Sequence, residues 1–109
     1  MANPATTAKR QNHQIDLTPT QTHEVRRILT SVLTTPQAWI FGSRATGRAR
    51  PYSDLDILIS ATKPLDWQDR ADLLDAFEAS NLPFRVDIVE ESRLAPGMAA
   101  RVRAERLPL

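Results

Sequence analysis

Trp39-Ile40-Phe41-Gly42-Ser43, ten further residues, and then Asp54-Leu55-Asp56-Ile57-Leu58-Ile59 form the stretch on which the reading of this chain turns. The first segment reads as an apolar strand ending in a Gly-Ser turn, the second as a strand that opens with two carboxylates. Residues i and i+2 of a strand share a face, so Asp54 and Asp56 project together while Leu55, Ile57 and Ile59 point the other way. Carboxylates held side by side repel unless a cation lies between them, and a purely oxygen donor set suits Mg²⁺. Gly42 lets the backbone approach a ligand closely, and Ser43 can open a helix whose free N–H groups attract phosphate. A phosphate turn beside metal-binding carboxylates is the outline of a phosphoryl- or nucleotidyl-transfer site.

Upstream of this stretch, Thr18 has the chemistry of an N-cap, Pro19 suits the first helical position, and Gln21 completes a capping box. Val25, Ile28, Leu29, Val32 and Leu33 then follow the apolar stripe of an amphipathic helix, which Pro36 is expected to end. Residues 1–16 are polar and without periodicity, so they are expected to form a disordered tail ahead of a single domain over 17–109. Gln37 to Phe41 is the first strand. Ser43 to about Ala49 reads as a short helix, with Arg44, Arg48 and Arg50 near enough to neutralise phosphate charge.

Downstream, Thr62-Lys63-Pro64 breaks the chain and Asp66 caps a helix running to about Ser80. Its expected buried stripe is Trp67, Ala71, Leu74 and Phe77. Phe84 to Val89 alternates as a third strand, with Val86 and Ile88 on one face and Arg85, Asp87 and Val89 on the other. A short helix follows Pro96 and runs to about Arg106. The strand–helix–strand unit predicts a right-handed crossover and parallel strands, which brings Asp87 close to Asp56. The short link between the first two strands favours an antiparallel pair. The expected fold is α/β (α+β), a small mixed three-stranded sheet flanked by helices.

Composition excludes several classes. The chain has 109 residues, 41% hydrophobic and 25% charged, as expected for one soluble globular domain. A net charge of +1 carries no strong nucleic-acid signal. The absence of cysteine rules out disulfides, thiolate zinc sites and thiol catalysis. No apolar run approaches the roughly 20 residues of a membrane span, and no hydrophobic signal core opens the chain, so the expected location is cytoplasmic. There is no Lys-containing P-loop.

Gly42-Ser43, ten residues and Asp54-x-Asp56 resemble the signature of the DNA polymerase β-like nucleotidyltransferase superfamily. In size the chain resembles its smallest branch, the minimal nucleotidyltransferases, and the run Leu82-Pro83-Phe84-Arg85-Val86-Asp87 is similar to the family's third-carboxylate strand. The resemblance implies that Asp54, Asp56 and Asp87 are the catalytic and metal-binding residues for two Mg²⁺ ions. It implies that Gly42, Ser43 and Arg44 bind the nucleotide, with ATP donating AMP to a hydroxyl acceptor. Proteins of this size in the family are paired with a helical protein of the HEPN class, many of which are ribonuclease toxins. The implied role is therefore an antitoxin that adenylylates its toxin. A non-catalytic nucleotide-binding module that masks a helical partner, and a transferase acting on a small molecule, remain the alternatives.

Overall fold

The computed structural model describes residues 14–34, 37–61 and 64–109. Its first helix, α1 (Pro19–Val32), begins as the sequence dictates: Thr18 Oγ1 accepts the Gln21 N–H at 3.1 Å, and Gln21 Oε1 accepts the Thr18 N–H at 3.0 Å. Val25, Ile28 and Leu29 are buried, with Val32 and Leu33 partly buried against the same core. The helix stops at Val32, where Leu33 turns extended and its N–H bonds Leu29 O. Pro36, its expected terminator, lies outside the described residues, as do Thr62 and Lys63 of the expected break.

The chain continues through β1 (Ala38–Phe41), α2 (Ser43–Thr46), β2 (Leu55–Ile59), α3 (Trp67–Glu78) and β3 (Val86–Glu90). A 3₁₀ turn (Glu91–Arg93), α4 (Pro96–Glu105) and β4 (Leu107–Pro108) complete it. β1 and β2 are antiparallel and β2 and β3 parallel, as the connection lengths predict. The sheet has four strands in the order β3-β2-β1-β4, where the sequence predicts three. The addition, β4, pairs antiparallel with β1, and the Leu109 N–H continues the pairing to Ala38 O at 3.2 Å. A two-residue strand displays no alternation, and Pro108 lacks an N–H, which confines it to an edge.

Strand register sorts the side chains into two faces. Ile40, Ile57 and Ile88 stand in one row and, with Leu55 and Ile59, pack against Val25, Ile28 and Leu29 of α1 and Leu73 and Phe77 of α3. The opposite face carries the rows Phe41–Asp56–Asp87 and Trp39–Leu58–Val89. Helix α4 lies across this second face. The Arg106 guanidinium stacks 4.0 Å over the Trp39 ring, and Arg103 and Arg106 reach Glu91 at 3.0 and 3.5 Å. Leu58, Ala99 and Val102 are buried there.

Helix α3 is rotated from its expected orientation. Phe77 is buried, but Trp67 is 76% exposed and Leu74 38% exposed, and Leu73 takes the core position. The inward row is Arg70, Leu73 and Phe77, and the arginine disguises it. Its guanidinium bonds Glu90 Oε2 at 3.2 Å and Ile88 O at 2.9 Å, so a residue that reads as polar belongs to the packed face.

Arg44 is turned further inward still, only 4% exposed. Nε bonds Ser53 O at 3.0 Å, Nη1 bonds Asp16 O at 2.8 Å, and Nη2 bonds Pro51 O at 3.0 Å and Arg50 O at 3.3 Å. The guanidinium also stacks 4.1 Å over Phe84. It ties the α2–β2 loop to the segment before α1. Ile15 packs on the core and the Asp16 N–H bonds Arg44 O at 2.8 Å, so ordered contacts begin inside the stretch that reads as tail. Arg44→Lys puts one ammonium where a planar fork spans four carbonyls. The expected loss is about 3 kcal/mol, read from the denaturant midpoint at unchanged slope.

Candidate active site

Gly42 is where β1 becomes α2 in a single residue, and its φ of 76° and ψ of −153° suit glycine alone. Its carbonyl accepts the Ala45 N–H at 3.0 Å, the Thr46 N–H at 3.1 Å and Thr46 Oγ1 at 3.0 Å, closing the turn that Ser43 opens. The neighbouring register pair, Phe41 with Asp56, brings the Asp56 carboxylate directly against Gly42. A Cβ built on Gly42 would collide with Asp56 Oδ2. The missing side chain is therefore a steric requirement of the carboxylate as well as of the backbone.

Asp56 and Asp87 are partners across the parallel β2–β3 pair and share a face. Adjacent strands lie about 4.8 Å apart, so the two carboxyls stand side by side. Burial pushes the Asp56 carboxyl up to about 6, and the charges of Asp87, Asp54 and Glu105 push the same way. Asp54 stands exposed just ahead of β2. Asp87 is half-exposed, with its Oδ1 4.0 Å from Arg85 Nη2.

The fold thus gathers Gly42, Ser43, Asp54, Asp56 and Asp87 at one end of the second face. It does not gather the Arg44 guanidinium, which faces the loop carbonyls instead. Among the described residues, no three His, Cys, Asp or Glu side chains stand at the spacing that would enclose a metal ion. A groove of about 440 Å³ lies elsewhere, between α3 and the approach to β3, lined by Leu74, Phe77, Leu82 and Phe84.

Glu105 is the residue that the motif reading misses. Its Oε1 accepts the Gly42 N–H at 3.0 Å across a separation of 63 residues. It is the single acid in the ten residues of α4, beside Arg101 and Arg103, and only that isolation singles it out.

With this geometry in place, the family assignment follows. The chain matches the family described as Polymerase beta, Nucleotidyltransferase over residues 23–107 and belongs to it. It is 40% identical, over 77 residues, to a Haemophilus influenzae protein named as a probable protein adenylyltransferase, MntA; the match spans 71% of this chain and 68% of the relative. Among solved structures it is similar to a protein described as a minimal nucleotidyltransferase, at 36% identity and a TM-score of 0.67, over 83% of this chain and 93% of the other. It is also similar to a toxin–antitoxin structure with AMP-PNP, at 25% identity and a TM-score of 0.65, over 79% and 69%. The family and the polymerase β-like fold inferred from the Gly42-Ser43…Asp54-x-Asp56 signature are borne out.

The raised Asp56 carboxyl has a thermodynamic consequence. Between its ordinary value near 3.9 and about 6, the folded chain holds a proton that the unfolded chain has released. Stability of the metal-free protein should therefore fall as pH rises through that window, and be lowest above about 6. Asp56→Asn should flatten this decline in scanning calorimetry from pH 4 to 7.5 with chelator present. The full shift corresponds to about 3 kcal/mol; solvent screening at this half-exposed group reduces the expected gain at pH 7.5 to about 1 kcal/mol. A decline of equal slope in the variant would exclude Asp56 as its source.

Gly42→Ala should cost about 1–3 kcal/mol in chemical unfolding, from its positive φ and the collision with Asp56. Gly97→Ala, whose new methyl would meet nothing within 4 Å, is the matched control and should leave the unfolding midpoint unchanged or raised.

Proposed function

We propose that this chain is an antitoxin that transfers AMP from ATP to a hydroxyl group of a HEPN-type helical toxin. The observation that carries the reading is the contact of the Gly42 turn with a paired Asp56–Asp87 carboxylate row. Identity to a protein named as a probable protein adenylyltransferase, and likeness to a toxin–antitoxin structure with AMP-PNP, support the donor and the partner class.

In this reaction the Ser43 hydroxyl and the N–H groups that follow Gly42 bind the β- and γ-phosphates. Asp54, Asp56 and Asp87 would hold Mg²⁺: they offer only oxygen donors, and their mutual repulsion is relieved by a hard cation. Bound there, Mg²⁺ would supply charge neutralisation for the leaving pyrophosphate and acidify the acceptor hydroxyl. Asp87, half-exposed at the end of the row, accepts the proton from that hydroxyl. The acceptor oxygen forms a bond to the α-phosphorus, the bond from that phosphorus to the bridging oxygen breaks, and pyrophosphate leaves. Arg44 contributes by bracing the loop between Ser43 and Asp54. ATP as donor makes the cytoplasm the site of action.

Near-attack geometry needs surface that holds the acceptor, and in the proposed reaction the toxin supplies that surface. Co-expression with a HEPN-type helical protein, sought first among neighbouring reading frames, should give a co-purifying complex. ATP and Mg²⁺ should then add one or more AMP masses to the partner in intact-mass spectrometry. Asp56→Asn should abolish the added mass, by about a hundredfold or more in rate, while the complex persists. A complex that never gains mass would identify a masking module, and modification of a free small molecule would sink the partner assignment.

A further inference from the structure

Gly42 is held from two sides by acidic groups. The Asp56 carboxylate abuts its Cα, and Glu105 Oε1 accepts its N–H at 3.0 Å. A glycine at positive φ has many conformations open to it, so its place in the fold is set by what binds it. That place matters, because the Gly42 carbonyl closes the first turn of α2 on Ala45 and Thr46 and so orients Ser43. Glu105 is in turn presented by a clamped helix end. Arg103 and Arg106 bond Glu91 at 3.0 and 3.5 Å, and Arg106 stacks on Trp39.

A carboxylate beside a polyphosphate site carries an electrostatic cost, since it repels the same ligand that the site is built to receive. Its presence therefore needs a compensating gain, and the hydrogen bond to Gly42 provides one. We infer that Glu105 is a positioning residue for the nucleotide: by holding the Gly42 N–H it fixes the turn that presents Ser43, and it makes donor binding depend on the docking of α4. The effect on nucleotide rests on the transfer reading above; the hydrogen bond rests on geometry alone.

The rival reading is that Glu105 merely stands where a phosphate oxygen would sit, and the two predict opposite signs. Glu105→Gln keeps an oxygen acceptor for the Gly42 N–H and removes the charge. Glu105→Ala removes both. Two readouts are taken on the full chain: hydrogen exchange of the Gly42 amide by NMR without ligand, and the affinity for ATP with Mg²⁺ by calorimetry. In the Ala variant, Gly42 protection should vanish and ATP should bind about tenfold more weakly. In the Gln variant, protection should persist and ATP should bind at least as tightly as to the wild type.

An Ala variant that binds ATP as tightly as the wild type, or more tightly, would overturn the role. If the Ala variant fails to fold, the Gln variant decides. Lost Gly42 protection with wild-type affinity overturns the role, whereas retained protection with retained affinity supports it. No ATP binding by the wild type would overturn the transfer reading and this role together. Binding that is equal across all three proteins would overturn the role alone.

Discussion

Repulsion among carboxylates at one end of the sheet is the constraint to which the rest of this structure answers. Two unit charges about 5 Å apart, at an effective dielectric near 20, repel by about 3 kcal/mol. That is a large share of the net stability of a small domain. The Phe41–Asp56–Asp87 row persists because the row beneath it, Ile40–Ile57–Ile88, is committed to the core. Sliding either strand by one residue would remove the clash of charges, but it would also turn buried isoleucines outward. The hydrophobic face of β2 thus holds the acidic face in place. Burial first, and then the neighbouring charges, displace the Asp56 carboxyl toward its neutral form.

How much of this was legible in the sequence depended on the range of the interaction. The capping box at Thr18, the alternation of Asp54–Ile59 and the facing of Asp87 away from Val86 and Ile88 are local patterns, and the structure follows them. The antiparallel and parallel pairings follow from link length alone. The exposure of Trp67 was not legible, because the true inward row of α3 contains Arg70 and the apolar pattern counts only apolar residues. Nor was β4, where two residues and a proline leave no period to detect. Glu105 reaches Gly42 across 63 residues, and no spacing rule spans that distance.

Arg44 shows the same limit from the other side. Adjacent to a Gly-Ser turn, an arginine reads as a phosphate ligand. A four-residue helix, however, cannot bury its own loop, and the α2–β2 connection leaves carbonyls in need of donors. One planar guanidinium serves three of them and Asp16 O ahead of α1, and stacks on Phe84. The segment between Ser43 and Asp54 is thereby stiffened by a buried cation. The ten-residue spacing between turn and carboxylates then becomes a fixed distance in space.

With Arg44 turned away, the end of the sheet is acidic although the whole chain carries a net charge of +1. Asp54, Asp56, Asp87 and Glu105 contribute there; Arg85, 4.0 Å from Asp87, is 81% exposed and its charge is screened by solvent. A bare triphosphate approaching this surface would meet net repulsion. For the reaction proposed here, the donor is therefore admitted with its cation, which the carboxylates attract and which cancels the repulsion that the bare triphosphate would meet. The same field disfavours occupancy by anions that bring no cation, so the carboxylate row selects a metal-complexed nucleotide over free phosphate before any hydrogen bond is made.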